Sequence, residues 1–276
     1  MIGQLKRIIE FQNLGNSKTS KPSRNLIAFT SGKGGVGKTV LSLNLAYLLS
    51  QKGKRVLFAD LDVNFSNAHI LLNIIVPKNL KDFFEGKSLL NNIISKVDNN
   101  FYLLAGDSGS MYQNTYLKGK ISSLLTELKK ISGNYDYVII DTGQMNDREQ
   151  MEILLSSDSI VIVTSPEPTA VMDAYVIVKI LKQQNCCLTK HVIVNKCSDV
   201  RDSDITFNNL NTATEHFLNE KLHLMGYVNF DSLIHKSVTS QKLFSKEYFN
   251  SPVCKQISKL SGSLTEFVQV ANINQS

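Results

Sequence analysis

The chain has 276 residues, of which 42% are hydrophobic, enough for one large α/β domain with a substantial core. Its net charge of +6 is uneven, because residues 1–24 carry five basic side chains and one acid, so the rest of the chain holds only +2. This distribution argues against a broad nucleic-acid-binding face, and no apolar run approaches the length of a membrane span.

Residues 1–24 are the first predicted unit, a basic arm that precedes the folded domain. Four side chains at roughly helical spacing predict a short amphipathic helix over 2–13: Leu5, Ile8, Ile9 and Gln12. The run from Gly15 to Ser23, GNSKTSKPS, has the composition of a flexible linker. We therefore expect a single domain over residues 25–276.

The next predicted strand and helix enclose a glycine-rich loop. An apolar strand over 26–29 and a helix from Leu41 flank the run SGKGGVGKT, which fits every fixed position of the phosphate-binding pattern G-x-x-x-x-G-K-[ST]. Glycines let backbone N–H groups turn towards phosphate oxygens, and the helix N-terminus adds partial positive charge. We predict that Lys38 reaches the β- and γ-phosphates and that the Thr39 hydroxyl binds Mg²⁺. The predicted nucleotide-binding residues of this segment are Gly32, Lys33, Gly34, Gly35, Val36, Gly37, Lys38, Thr39 and Val40.

The rest of the chain alternates apolar strands with helices. Further strands are predicted at 55–60, 101–105, 137–141, 159–164 and 191–195, and helices at 121–131, 169–184 and 205–222. This alternation predicts an α/β fold with a doubly wound, mostly parallel sheet and helices on both faces. Ligands bind beyond the carboxyl ends of such strands, where the sequence places Asp60, Asp141, Ser165 and Asn195.

Two of these strand ends carry acids suited to catalysis. Asp60-Leu61-Asp62 places two carboxylates on the same side of a strand end. Such a pair alone more often only caps a strand, but beside the phosphate loop we predict that Asp62 positions or activates the attacking water and that Asp60 lies near Mg²⁺. Asp141 ends an apolar strand in the Walker B arrangement, in which a carboxylate holds Mg²⁺ through water. Thr39 and Asp141 supply the hard oxygen ligands that this cation needs.

Two segments resemble the MinD/ParA family of ATPases, whose phosphate loop is called a deviant Walker A motif. The run KGGVGKT begins with an additional lysine, Lys33, which would otherwise be read as an exposed loop side chain. In that family the lysine reaches the partner's nucleotide across a dimer interface. The resemblance therefore implies an ATP-dependent homodimer, with Lys33, Lys38 and Asp62 as the catalytic residues.

The second segment runs from Thr164 to Tyr175, TSPEPTAVMDAY, in which Pro168 and Thr169 suit a helix start. This pattern is characteristic of MinD and especially of FlhG (YlxH), which controls flagellar number and placement. The resemblance covers about residues 25–267. It implies the P-loop NTPase fold, ATP or ADP and Mg²⁺ as ligands, and regulation of flagella.

The dipeptide Asn195-Lys196 indicates which base the bound nucleotide carries. The guanine-specific pattern N-K-x-D needs an acid at position 198, where Ser198 stands, so the sequence disfavours a GTPase. In the MinD family the asparagine at this point reads adenine, which implies nucleotide-binding roles for Asn195 and Lys196. The segment 225–231, MGYVNFD, resembles the family's adenine wall L-G-x-I-P-x-D, with Asn229 in place of proline.

Two departures from the family concern the switch segments. His69 stands where an acid is usual in the segment after Asp62, and Met145 stands where relatives have a glycine after Asp141. A side chain at 145 restricts φ, so slow or absent hydrolysis is one expectation. The alternatives are a nucleotide-locked scaffold and a ParA-like DNA-segregation ATPase, although the latter needs a basic surface on the folded body. Iron–sulfur relatives are disfavoured because no C-x-x-C is present.

The two ends of the chain bear on partners and location. Gln4-Leu5-Lys6-Arg7 faintly resembles the D-Q-A-x-x-L-R helix of FlhG proteins, which implies an FlhF-type GTPase and flagellar basal-body components as partners. No Lys or Arg follows Lys259, so an apolar stripe near the C-terminus is predicted to pack on the core rather than bind anionic lipid: Leu260, Leu264, Phe267 and Val268. We expect a cytoplasmic protein, with the inner face of the cell membrane as the alternative location.

Overall fold

The computed structural model describes residues 25–62, 66–107, 120–144 and 148–273. Four predicted features lie outside the described residues: the helix over 2–13, the linker that follows it, residues 63–65 after Asp62, and Met145. The domain boundary at residue 24 therefore stays a prediction.

Within the described residues, eight strands form one sheet in the order β3-β4-β2-β5-β1-β6-β7-β8. All neighbouring pairs are parallel except β3 and β4, which are antiparallel. The strands are β1 (Leu26–Ser31), β2 (Val56–Asp60), β3 (Ile94–Asp98), β4 (Phe101–Leu104), β5 (Tyr137–Gln144), β6 (Ser159–Thr164), β7 (Lys190–Cys197) and β8 (His223–Asn229).

Helices cover both faces of this sheet. They are α1 (Lys38–Gln51), α2 (Ala68–Leu71), α3 (Leu80–Phe84), α4 (Ile121–Ser132), α5 (Arg148–Ser156), α6 (Pro168–Gln183), α7 (Val200–Leu218), α8 (Ser232–Thr239), α9 (Phe244–Glu247) and α10 (Pro252–Ile273), with one 3₁₀ turn at Leu90–Asn92. The predicted doubly wound, mostly parallel α/β fold is confirmed.

Strand alternation divides the core between the two faces. Ile27 and Phe29 of β1 face the cluster formed with α1, α9 and α10. Leu26 and Ala28 face the opposite side, where α4 to α7 pack. All four side chains are buried, as expected for a central parallel strand covered on both faces. This two-sided burial holds the ends of the central strands, and hence the site, in fixed positions.

Several element boundaries differ from the prediction. α7 begins at Val200 rather than at 205, because the Asp199 carboxylate accepts a hydrogen bond from the Asp202 amide at 2.9 Å and caps the helix. It ends at Leu218 rather than at 222, where Asn219 adopts a left-handed φ of +52°. β5 and β7 continue to Gln144 and Cys197, past the predicted ends at 141 and 195.

The sequence did not predict the two edge strands. β3 is partly exposed and mixes polar with apolar residues, so it lacks the apolar run that marks the central strands. β8 contains an irregular register near Gly226, whose φ is +148° and which lies directly under Leu260 of α10. Both strands form through pairing with a neighbour rather than through their own pattern.

The C-terminal apolar stripe packs as predicted. Leu260, Leu264 and Val268 are buried in the cluster that α10 forms with α1 and β8, and Phe267 is partly buried. In the parts of the chain that the structure describes, every helix is too short or too polar to cross a bilayer.

Candidate functional site

The glycine loop joins β1 to α1 and has the backbone geometry of an anion-binding turn. Gly35 and Gly37 have φ angles of +78° and +89°, a left-handed conformation that L side chains adopt only with strain. Gly37 precedes α1 without a side-chain cap, and the first helical turn contains no acid. The first turn of α1 therefore supplies no carboxylate of its own to its free N–H groups, which suits phosphate binding.

Lys38 and Thr39 converge on Asp141 of β5. The ammonium of Lys38 forms a buried ion pair with Asp141, and the Thr39 hydroxyl donates to the other carboxylate oxygen at 2.5 Å. The described residues contain no group of three or more His, Cys, Asp or Glu that could hold a metal alone. The hydroxyl of Thr39 and the carboxylate of Asp141 are hard oxygen donors that suit Mg²⁺, which keeps waters and phosphate oxygens and takes only one or two protein ligands.

Asp60 lies beside Asp141, because the two residues are register partners on β2 and β5. Burial of its carboxyl and the nearby charge of Asp141 raise the pKa of Asp60 to about 7. The same carboxylate accepts hydrogen bonds from the Ser66 hydroxyl at 2.8 Å and the Ala68 amide at 2.9 Å. Asp60 therefore holds Ser66 and the start of α2, in addition to lying next to the predicted magnesium ligand.

Asp62, the predicted water-positioning acid, lies against Gly143. The backbone amide of Asp62 donates to Asp60 at 3.3 Å. Gly143 has a φ of +72°, and a Cβ atom added there would lie 2.9 Å from the Asp62 carboxyl group. No separate role was predicted for Gly143 from the sequence. The structure shows that it leaves room for the acid of the first switch beside Asp141.

The end of β7 supports the glycine loop directly. The Asn195 amide donates to the carbonyl of Val36 at 2.7 Å, and the Lys196 ammonium donates to the carbonyl of Gly35 at 2.7 Å. Lys196 itself has a left-handed φ of +61°. A Cβ atom at Gly37 would lie only 2.5 Å from the Asn195 side-chain nitrogen. These two residues thus brace the loop, a role that the base-reading motif did not predict.

Asn195 and Lys196 also line a cavity of about 340 Å³ beside the loop. Val40 of α1 lines it as well, together with Asn229 and Phe230 of the predicted adenine-wall segment. The lining is mainly apolar with a few polar groups, as expected for a site that takes a flat heteroaromatic base. The structure therefore brings the predicted base-contacting residues together at one cavity.

The additional lysine of the loop contacts α6 of its own chain. The Lys33 ammonium lies 2.5 Å from a carboxylate oxygen of Glu167 and 2.7 Å from the Thr169 hydroxyl. The hydrogen bond and charge of Lys33 lower the pKa of Glu167. A Cβ atom at Gly32 would lie 2.5 Å from the backbone of Asp173, so α6 packs directly on the loop. The TSPEPTAVMDAY segment therefore supports the loop, a function its helix-start pattern did not predict.

Comparisons with known proteins agree with this geometry. A family model described as "AAA domain" matches residues 24–194. The chain is 30% identical over 268 residues to the flagellum site-determining protein YlxH of Helicobacter pylori, covering 96% of this chain and 90% of that protein. It is 28% identical to the antiactivator FleN of Pseudomonas aeruginosa, covering 79% and 78% of the two chains. The septum site-determining protein MinD of Pyrococcus horikoshii, solved with Mg-ADP, superposes with a TM-score of 0.76 at 22% identity, covering 90% of this chain and 98% of that one.

Proposed function

Because the chain belongs to the MinD/ParA family of P-loop ATPases, close to FlhG, we propose that it is an ATP-hydrolysing dimerisation switch that regulates the number or placement of flagella. The observation that carries this proposal is the convergence of Lys38, Thr39 and Asp141 below an uncapped glycine loop. The flagellar assignment is supported by similarity to YlxH and FleN over most of the chain.

The chain's own residues divide the work of nucleotide hydrolysis as follows. The loop N–H groups and Lys38 would bind and orient the phosphates, and Thr39 and Asp141 would hold Mg²⁺. Bound Mg²⁺ would neutralise charge that develops on the phosphate oxygens. Asp62, which lies against Gly143, would orient the attacking water. Asn195 and Lys196 keep the loop in its binding conformation through the carbonyls of Val36 and Gly35.

Lys33 is proposed to complete the nucleotide site of the partner subunit in the ATP-bound dimer. In the single chain its ammonium is engaged by Glu167 and Thr169. The side chain is about one-third exposed, so it can leave these contacts without breaking the core. Exchange of an internal ion pair for the partner's phosphates would make dimerisation depend on ATP.

Two alternatives remain distinct from this proposal. A nucleotide-locked scaffold would follow if Met145 slows the second switch, and Met145→Gly should then raise turnover. A ParA-like DNA-segregation ATPase would need a basic surface, whereas residues 25–276 carry a net charge of only +2. Salt-sensitive retention of DNA by the ATP form would favour that second alternative.

The N-terminal arm and the C-terminal helix bear on the proposed partners and cellular location. We place the protein in the cytoplasm, with an FlhF-type GTPase and basal-body components as partners, and peripheral attachment to the membrane as the alternative. Loss of residues 1–20 should abolish stimulation of the GTPase, and unchanged stimulation would refute that role of the arm. Co-sedimentation with acidic vesicles in the presence of ATP would establish the membrane alternative.

The decisive experiment measures ATP turnover per subunit against protein concentration in the presence of Mg²⁺. A dimer-coupled ATPase gives a rate per subunit that rises with concentration, and Lys33→Ala should abolish that rise while ATP binding persists. Lys129→Ala removes an exposed lysine of α4, a helix that packs on α5, and serves as the matched control. A rate per subunit that is independent of concentration would refute the dimerisation switch, and ATP binding without turnover would favour the locked scaffold.

A further inference from the structure

A second cavity lies at the amino-terminal ends of the strands, whereas the glycine loop lies at their carboxyl ends. We call it the basal groove; it encloses about 980 Å³ where the chain enters β6, β7 and β8, beside α10. The apolar side chains on its lining include Leu155 and Leu224, which are 40% and 37% exposed. Phe267 of α10 stacks on His191 with ring centroids 4.0 Å apart. Partly exposed apolar side chains gathered in one groove indicate a docking surface.

The charge of the basal groove has one sign. Among the residues that the structure describes, the formally charged side chains of its lining are Asp158 and Glu266, without a Lys or Arg. His191 adds no positive charge near neutral pH, because burial and the neighbouring His223 lower the pKa of His191 to about 4. An acidic, apolar groove on a chain of net charge +6 favours a basic, amphipathic occupant.

The chain enters its domain beside this groove. The backbone amide of Leu26, the first residue of β1, donates to the Asp158 carboxylate at 2.9 Å. β1 pairs with β6, and adjacent strands lie about 4.8 Å apart, so the groove begins one strand from the entry point. Residues 14–24 could span roughly 35 Å when extended, more than enough to bring residues 2–13 to the groove. The arm is thus within reach and is held at high effective concentration.

We propose that the apolar stripe of the arm, Leu5, Ile8 and Ile9, docks into the basal groove of the same chain. The arm carries a net charge of +4, complementary to Asp158 and Glu266, and the groove supplies apolar surface for the stripe. A docked arm is withheld from other partners, so a competing partner must first displace it. This inference rests on the arm and the groove alone and does not depend on the nucleotide site.

Cys187 provides a built-in probe of docking. It lines the groove and is exposed, whereas Cys186, Cys197 and Cys254 are buried. Cys187 also lines an adjoining pocket with Lys182 and Lys221, so the difference in its reaction rate with Ellman's reagent between matched variants, rather than the rate itself, reports access to the groove. For a contact with a dissociation constant of about 0.1 mM and an effective concentration of about 1 mM, docking slows the reaction of Cys187 about tenfold.

The test compares full-length variants that carry the same change of charge. Leu5→Asp with Ile9→Asp should raise the Cys187 rate about tenfold, whereas Thr19→Asp with Ser20→Asp in the linker should leave it unchanged. In the groove, Glu266→Lys should also raise the rate, whereas Glu215→Lys on exposed α7 should not. Circular dichroism and thermal unfolding verify that each variant is folded.

Two results of these rate measurements, and one result of a peptide experiment, would overturn the proposal. One is an equal Cys187 rate in the parent and the folded Leu5→Asp, Ile9→Asp variant. The other is protection that grows with protein concentration, which would show that a second copy rather than the chain's own arm fills the groove. A synthetic peptide of residues 1–14, added to the doubly substituted chain, should restore protection, and its failure to do so would equally contradict direct docking.

Discussion

The contact between Gly37 and Asn195 allows a quantitative test of how the phosphate loop is held. Gly37→Ala places a Cβ atom 2.5 Å from the Asn195 side-chain nitrogen, at a position where φ is +89°. The left-handed conformation costs an alanine about 1–2 kcal/mol, and the amide must also move away from the Val36 carbonyl. Loss of that buried hydrogen bond costs about 1–2 kcal/mol more. We expect a total of about 3 kcal/mol, or a loss of ATP affinity of roughly a hundredfold.

The effects of Gly37→Ala and Asn195→Ala on ATP binding should not be additive, and this non-additivity is the specific prediction. Asn195→Ala alone removes the bond to Val36 and should weaken ATP binding about tenfold. Because Gly37→Ala already breaks that bond, the double variant should bind ATP about as weakly as Gly37→Ala alone. The coupling energy between positions 37 and 195 is then about 1.5 kcal/mol.

Gly35 supplies the matched control for backbone strain. Its φ is +78°, but an added Cβ atom would meet nothing within 4 Å. Gly35→Ala should therefore show the strain cost alone, and its effect should add to that of Asn195→Ala. The assay is titration with a fluorescent ATP analogue in the presence of Mg²⁺. Strict additivity of Gly37→Ala and Asn195→Ala would refute the idea that the end of β7 braces the loop through this contact.

Two further predictions concern catalysis and stability. Gly143→Ala places a Cβ atom 2.9 Å from the Asp62 carboxyl group, so turnover at saturating ATP should fall at least about tenfold while ATP affinity changes little. Glu220→Gln removes the acid that pairs with the buried Lys190 at 2.8 Å, which should lower stability by about 3 kcal/mol and the melting temperature by roughly 9 °C, whereas exposed Glu215→Gln should not. Burial raises the pKa of Glu220, but Lys190 and Lys182 lower it by more, so the net shift is downward. The ion pair therefore stabilises the fold above about pH 4.3, the ordinary pKa of a glutamate, and this stabilisation is lost as the pH falls through the folded-state pKa. A parent and a Glu220→Gln variant whose melting temperatures fall equally on acidification would contradict this assignment.

The sequence predicted the central part of the fold because its local signals agree. Each of β1, β2, β5 and β6 is an apolar run followed by a loop or an acid, and each is buried on both faces. The edge strands β3 and β8 carry no such signal, since their conformation depends on one neighbour. The start of α7 was missed for a different reason: Asp199 caps a first turn that is polar and partly exposed.

The candidate site shows the same division. Lys38, Thr39 and Asp141 follow from motif spacing, because a strand order that places β1 beside β5 must bring them together. The roles of Gly143 and Asp173 could not be predicted, because they depend on which side chain or helix lies against a glycine. Sequence spacing determines which residues share an edge of the sheet, whereas close packing determines which of them touch.

This distinction changes the interpretation of the motifs themselves. Asn195 was assigned to the base by resemblance, yet in the structure its amide donates to the Val36 carbonyl while the residue also lines the base cavity. A single side chain thus contacts both the loop that would hold phosphate and the cavity that would hold the base. Occupation of the cavity and the conformation of the loop are therefore linked through Asn195. A ligand that fills the base cavity without reaching the loop should bind more weakly to Asn195→Ala, although it makes no phosphate contact.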